Sequence, residues 1–356
     1  MPQLLPRGGL DAGGETAQSS GMSQSADSRL PPAVEILDID DTNLAQAGIE
    51  VIDMDLAQLQ STPLQARRVV VRLDGCVVVF YATNLRMRTR TRPSLQQSLL
   101  SVVTFGPQTS GSVDGLSIRP DRLLVVAPET SVGFVADPGY QSITFLVSPQ
   151  ELQRHLQIRH RQDDFAVPQG LEARHVGAAM AGQLFAFGKR LVELASQQPE
   201  LFNECAETRA AAQRELLETL LETLDSCAEV EPERGERLRQ TQSEMVRSVE
   251  QYALAHVDEP LYVTDLCKMI GTSERSLEYA FKAVMNLTPK AYLARLRLHR
   301  VRTALLQAQP GSTTVAIEAL NWGFWHFGEF SRAYKNCFGE LPSQTLRHKP
   351  WVAAKP

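Results

Sequence analysis

The sequence predicts an α+β chain. Its first half is β-rich, a β-barrel or sandwich followed by helices, and its last hundred or so residues are all-α, two helix-turn-helix units joined by a long helix. Three observations predict this. Residues 67–147 hold short apolar runs separated by turn dipeptides, residues 149–228 switch to helical patterning, and one helix–turn–helix pattern occurs twice beyond residue 260. At 356 residues the chain is long enough for two domains, each with its own core.

The β-rich stretch reads RRVVVRL, CVVVFYA, LLSVVTFG, RLLVVAP, GFVA and SITFLVS, broken by Asp-Gly, Gly-Pro, Pro-Asp and Asp-Pro-Gly. Short strands with turn signals of this kind indicate a barrel or sandwich. Within it, RMRTRTR places Arg86, Arg88, Arg90 and Arg92 on one strand face. Such a row marks either an anionic ligand or a strand edge protected by charge. Helical patterns follow in PQELQRHLQIRH, VGAAMAGQLFAFGKRLVELA and ETRAAAQRELLETLLETLDSC. In the last, Leu217, Leu220, Leu221 and Leu224 form an apolar stripe, either a dimer seam or a buried face within the monomer.

Residues 1–35, rich in Gly, Ser, Gln and Pro, read as a disordered tail with no apolar run resembling a signal peptide. The domain plan is then 36–230 for the β-rich and helical part, 231–243 as a linker, and 244–350 for the helical repeat. No segment is apolar for long enough to cross a bilayer. Five cysteines without CxxC or paired spacing fit a reducing cytoplasm.

The repeat is the most specific feature. Residues 321–345 read NWGFWHFGEFSRAYKNCFGELPSQT, with seven aromatic side chains in 25 positions of a chain that is 6% aromatic. Phe327, Phe330, Tyr334 and Phe338 fall on one helical face, Gly323 sits in the turn before it, and Val315, Ala319 and Trp322 line the preceding helix. Trp322, Phe324, Phe327, Phe330 and Phe338 are expected in the core, and His326 is an N-cap substitute or a surface residue. An earlier stretch, VTDLCKMIGTSERSLEYAFKAVMNLTP, repeats the order: Cys267, Gly271, Leu277, Phe281, Lys282 and Pro289 correspond to Ala319, Gly323, Phe330, Tyr334, Lys335 and Pro342. An internal repeat of a supersecondary unit defines the fold far better than one match. Between the copies Thr288 is an expected N-cap with Pro289 at N1, and Pro310-Gly311 stops the helix. From Asn286 to Ile317 there is no Asp or Glu, yet Lys290, Arg295, Arg297, Arg300 and Arg302 are present. A run this one-sided points to a polyanion nearby, although one helix cannot turn all of these cations the same way.

These residues resemble the DNA-binding domain of the AraC/XylS family of bacterial transcription regulators, strongly from about residue 244 to 348. WGFWHFGEFSRAYKNCFGELPS is close to the signature around the family's second unit, and GFWHFGEF is similar to the ethanolamine-operon-regulator branch. The chain departs from the family pattern at Ile317-Glu318 and at His326. The resemblance implies a regulator, an activator of a nearby catabolic operon, that binds double-stranded DNA and works with RNA polymerase. Its first half would be a cupin-like barrel with dimerisation helices, binding a small-molecule effector. Carried over by position, Arg275, Ser276 and Tyr279 in the first unit and Gly328, Glu329 and Arg332 in the second match base-contacting sites. Lys282 and Lys335 follow the aromatic anchors at the same place in both units and are expected at phosphates, or are ordinary surface lysines, and Thr272, Ser273 and Lys290 are expected at phosphates with them. No catalytic residue, metal or cofactor is implied.

A metal-dependent cupin-like enzyme is the rival reading. It is disfavoured because such a site needs clustered His and carboxylate ligands, and the first His in the chain is His155. There is also no GxSxG, P-loop or GxGxxG. Charge agrees with a local nucleic-acid surface: the net charge is −5, but residues 241–356 hold 14 Lys or Arg against 10 Asp or Glu, leaving 22 against 31 upstream.

Overall fold

The computed structural model describes residues 31–41, 52–93, 98–160, 165–229, 232–256 and 261–347. Residues 1–30 of the stretch read as a tail lie outside these. A strand already begins within that stretch, at Val34.

Two antiparallel sheets form the first half. Strands β1 (Val34–Ile39), β3 (Ala66–Arg72), β4 (Cys76–Thr83), β11 (Tyr140–Val147), β6 (Leu100–Phe105), β9 (Arg122–Val126), β12 (Leu171–His175) and β13 (Ala228–Glu229) lie in that order in an eight-stranded sheet. The second sheet runs β2 (Ile52–Gln58), β5 (Met87–Pro93), β10 (Val132–Ala136), β7 (Gly111–Val113) and β8 (Leu116–Ser117). Among the described residues the two sheets do not close, so the expected barrel is an open pair of sheets. Local sequence sets the hairpins: Asp74-Gly75 joins β3 to β4 in a two-residue loop, where the Leu73 N–H donates to the Cys76 carbonyl at 2.8 Å. Closure depends on how distant strands pair, and short-range turn signals do not encode it.

Helices α1 (Pro149–Ile158), α2 (Ala178–Gln197), α3 (Glu200–Asn203) and α4 (Ala206–Asp225) accompany the eight-stranded sheet. Their apolar faces, with Leu152, Leu184, Leu191 and Leu216, share one core with Val69, Val78, Val102 and Phe145 of that sheet. Leu217, Leu220, Leu221 and Leu224 are all buried in it, which settles their role as a face inside the monomer.

The stretch read as a linker is, from Arg234, the start of the 22-residue helix α5 (Arg234–Ala255). Glu233 and Glu236 form a capping box at its start. The helix lies on the sheets: Arg122 donates to Glu236 at 2.7 Å and Arg239 donates to Ser117 Oγ at 3.0 Å. Further along, Arg247 reaches Asp114 at 3.4 Å and Glu250 meets Arg88 at 2.8 Å.

Candidate nucleic-acid interface

Helices α6 (Val263–Ile270) and α7 (Glu274–Met285) make the first helix-turn-helix unit. Helices α9 (Val315–Asn321) and α10 (Phe327–Phe338) make the second. The long α8 (Pro289–Gln307) joins them, and α11 (Pro342–Arg347) follows. The two turns are built alike. Gly271 and Gly323 take φ of 67° and 77°, a region where a side chain is strained. In each turn the next residue closes a hydrogen bond back over the helix end, Thr272 N–H to the Cys267 carbonyl at 3.0 Å and Phe324 N–H to the Ala319 carbonyl at 2.8 Å. The repeat read in the sequence is thus a repeat of backbone geometry.

Capping fixes where the helices start. Ser273 accepts from the Ser276 N–H at 3.2 Å, Thr288 from the Ala291 N–H at 3.2 Å and Thr314 from the Ile317 N–H at 3.2 Å. Pro289 is the first residue of α8, where its missing N–H costs nothing. His326 occupies the cap position of α10 but makes no side-chain cap hydrogen bond.

In α7 the inward positions are Leu277, Ala280, Phe281 and Val284, all buried. Arg275, Ser276 and Tyr279 are exposed. The Arg275 guanidinium lies 5.7 Å from the centre of the Tyr279 ring, so the two present one composite surface. Ser273 is exposed, but its hydroxyl is engaged as the cap and lies 2.9 Å from that of Ser276; Thr272 is half-buried. Lys282 and Lys290 are exposed. In α10, Phe330 and Tyr334 are buried while Gly328, Glu329, Arg332 and Lys335 are exposed.

Phe327 was expected in the core and is not: it is 44% exposed, and Trp325 beside it is 74% exposed. One residue, Thr272, separates Gly271 from the Ser273 cap, whereas Phe324 and Trp325 separate Gly323 from His326. The second turn is longer by one residue, and that changes which aromatics reach inward. Trp322, Phe324 and Phe338 are partly buried against the core around Phe330 and Tyr334.

The basic run on α8 is divided. Arg302 is buried, ion-paired to Asp41 and donating to Glu340 at 2.6 Å. Arg295 donates to the Gln58 carbonyl at 3.1 Å. His299 is buried, and its Nε2 accepts the Gln58 N–H at 3.2 Å. Burial, then the neighbouring Arg302 and Arg295, push its pKa down to about 3, which keeps the ring neutral and able to accept. Part of the charge that pointed to a polyanion therefore holds α8 to the first half.

Sequence reasoning missed the groups that join the halves. Arg88 and Arg90 lie neither at a strand edge nor at an open anion site, because β5 is paired on both sides, to β2 and β10, and both side chains have carboxylate partners. Arg90 pairs with Asp55 across β2. Arg88 is 1% exposed and forks onto the Glu250 carboxylate, 3.3 Å from Nε and 2.8 Å from Nη2. Tyr292 of α8 donates its hydroxyl to the same carboxylate. Burial alone would raise the pKa of Glu250, but the charge and hydrogen bonds of Arg88, with Arg90 and Tyr292, hold it below the usual carboxylate range. Gly133 on the adjacent strand leaves the room, since a Cβ there would come within 2.4 Å of the Arg88 guanidinium. Two signals in the sequence bear on this: Glu250 lies amid the apolar positions Val246, Val249 and Ala253, and Gly133 interrupts a strand.

Among the described residues no group of three or more His, Cys, Asp or Glu is arranged to hold a metal ion, and no helix is long and apolar enough to cross a membrane. The five cysteines are free thiols.

Residues 266–348 match a family described as "Helix-turn-helix domain". The "Probable thc operon regulatory protein" of Rhodococcus erythropolis is 38% identical over 107 residues, 30% of this chain and 32% of that protein. The "XylDLEGF operon transcriptional activator 3" of Pseudomonas putida is 33% identical over 114 residues, 31% of this chain and 34% of that protein. A crystal structure described as a probable AraC family transcriptional regulator from Rhodopseudomonas palustris is 38% identical, covers 30% of this chain and 99% of its own, and has a TM-score of 0.28. The chain spans about a third of the length of the two curated relatives.

Proposed function

We propose that the protein is a sequence-specific DNA-binding transcription regulator, an activator of a nearby catabolic operon, whose first half responds to a small-molecule effector. The observation that carries this reading is the pair of glycine-turned units, each offering an exposed arginine and lysine on its second helix: Arg275 and Lys282 in one, Arg332 and Lys335 in the other. Arg275 and Arg332 are assigned to base edges, with Ser276, Tyr279, Gly328 and Glu329 beside them. Lys282, Lys290 and Lys335, with the backbone and hydroxyl groups at Thr272 and Ser273, are assigned to phosphates. GFWHFGEF supports the ethanolamine-regulator-like branch. RNA polymerase, a second copy of the chain and a cytoplasmic location belong to the same reading.

Salt dependence tests it. Binding of the full-length protein to duplex DNA should weaken with a log–log slope of roughly −0.9 per phosphate neutralised, and Lys282→Ala or Lys335→Ala should each reduce that slope by about one. A flat salt dependence rules the reading out.

A further inference from the structure

The N-terminal tip of α10 carries apolar surface that the fold does not use. Residues 325–329, Trp-His-Phe-Gly-Glu, are exposed without a break, Trp325 to 74% and Phe327 to 44%. Phe330 and Tyr334 anchor the same helix and are buried. At the matching place the first unit is polar: Glu274 follows the Ser273 cap as Phe327 follows His326. Exposed apolar side chains scattered singly are ordinary, but two aromatics in one exposed run of five residues mark a contact surface. Gly328 adds a second observation. It takes no left-handed φ, and a Cβ there would meet no other atom within 4 Å. Glycine weakens a helix relative to alanine, and neither the backbone nor the packing of this chain calls for it at 328. What a bare Cα provides there is room for a partner to come close.

Position and charge identify that partner. When a helix-turn-helix unit enters the major groove, the first residues of its second helix are the ones that meet base edges. Arg332 and Lys335 are exposed on the same helix, which suits a polyanion. In that groove the base pairs present hydrogen-bonding groups and one apolar group, the C5-methyl of thymine, which accepts contact from side chains such as Phe. A phenyl ring has nothing to offer the hydrogen-bonding groups, so the methyl is what it can cover with gain.

We infer that Phe327, with Trp325, reads thymine through its C5-methyl group in the site bound by the second unit. This rests on the reading of the protein as a DNA-binding regulator, and it adds two residues and one base to that reading.

Deoxyuridine tests it, because it differs from thymidine by that methyl alone. Duplexes are selected from a random pool with the full-length protein, and each thymine of a selected duplex is then replaced singly by deoxyuridine. At one or more positions the replacement should weaken binding about fourfold, the worth of one buried methyl-sized group. Phe327→Ala should bind the thymine and deoxyuridine duplexes equally at those positions, and Phe327→Leu should keep part of the difference. Should Phe327→Ala fail to fold, Trp325→Ala, at the more exposed side chain, gives the same comparison and should shrink the difference. No deoxyuridine effect at any position, or one that survives unchanged in both alanine variants, overturns the inference and leaves the aromatics to a protein partner. Binding that falls with salt but ignores deoxyuridine overturns this inference alone, whereas the absence of salt-dependent binding to the pool overturns the regulator reading itself.

Discussion

The two helix-turn-helix units share a turn but are backed differently. The first packs Leu277 and Phe281 into one cluster with Tyr292 of α8, with Val246 and Val249 of α5, with Ala57 and Val135 of the five-stranded sheet and with Leu59 just beyond β2. In the second, the buried residues Leu298, Val301, Leu305, Ala319, Phe330, Tyr334 and Cys337 cluster on α8, α9 and α10. Their outer faces differ too. Where the first shows Arg275 stacked on Tyr279, the corresponding positions of the second carry Gly328 and Arg332, with Trp325 and Phe327 exposed beside them. A repeated motif thus fixes the turn and the aromatic anchors, while neighbours elsewhere in the chain decide how firmly each copy is held.

The largest test of that difference removes the charge behind the first unit. Arg88→Met strands the Glu250 carboxylate in a buried site with Tyr292, a loss of about 3–5 kcal/mol by denaturant titration. The double change Arg88→Met/Glu250→Leu should recover most of it. Hydrogen exchange should rise in α7 more than in α10; an equal rise in both would erase the distinction.

A smaller effect comes from pH at the position where α8 meets β2. His299 titrates near 6.5 when unfolded and near 3 when folded. Its contribution is therefore complete above pH 6.5 and is lost as the pH falls towards 3. At about pH 5 the loss is on the order of 2 kcal/mol. His299→Gln should flatten the stability profile between those two pH values, and an unchanged slope would mean that the ring is already protonated in the fold.

The smallest expected effect separates the two outer faces. Arg275→Ala and Arg332→Ala should each cost about 1–3 kcal/mol of binding if bidentate to guanine. Footprints should show the losses in two blocks of bases about 10 base pairs apart, one turn of B-DNA. Substitutions that disturb the same bases would remove the assignment of these arginines to separate grooves.

What was legible in the sequence was what neighbouring residues decide. The Thr288 cap with Pro289 and the two turn glycines follow from spacing within a few residues. Phe327 was misplaced because a helical face was extended to the helix's first residue, past a turn longer by one position. The arginine row was misread because the partner of Arg88, Glu250, lies 162 positions away. Pairing at that distance is set by the assembled sheets, and no local pattern announces it. Local turn signals left barrel and sandwich both open for the same reason.

The cluster joining Phe281 and Val249 to Leu59 and Val135 has a further consequence, for how the protein comes apart. Cooperative unfolding follows shared burial rather than motif boundaries. The first helix-turn-helix unit should therefore melt with the sheets, and the second, with buried residues of its own, should be able to loosen first. A cut placed between the sequence-defined halves, ahead of Arg234, would pass through a cooperative unit and leave the released piece with Phe281 and its neighbours bared to water. The seam along which this chain divides runs inside the repeat, between its two copies.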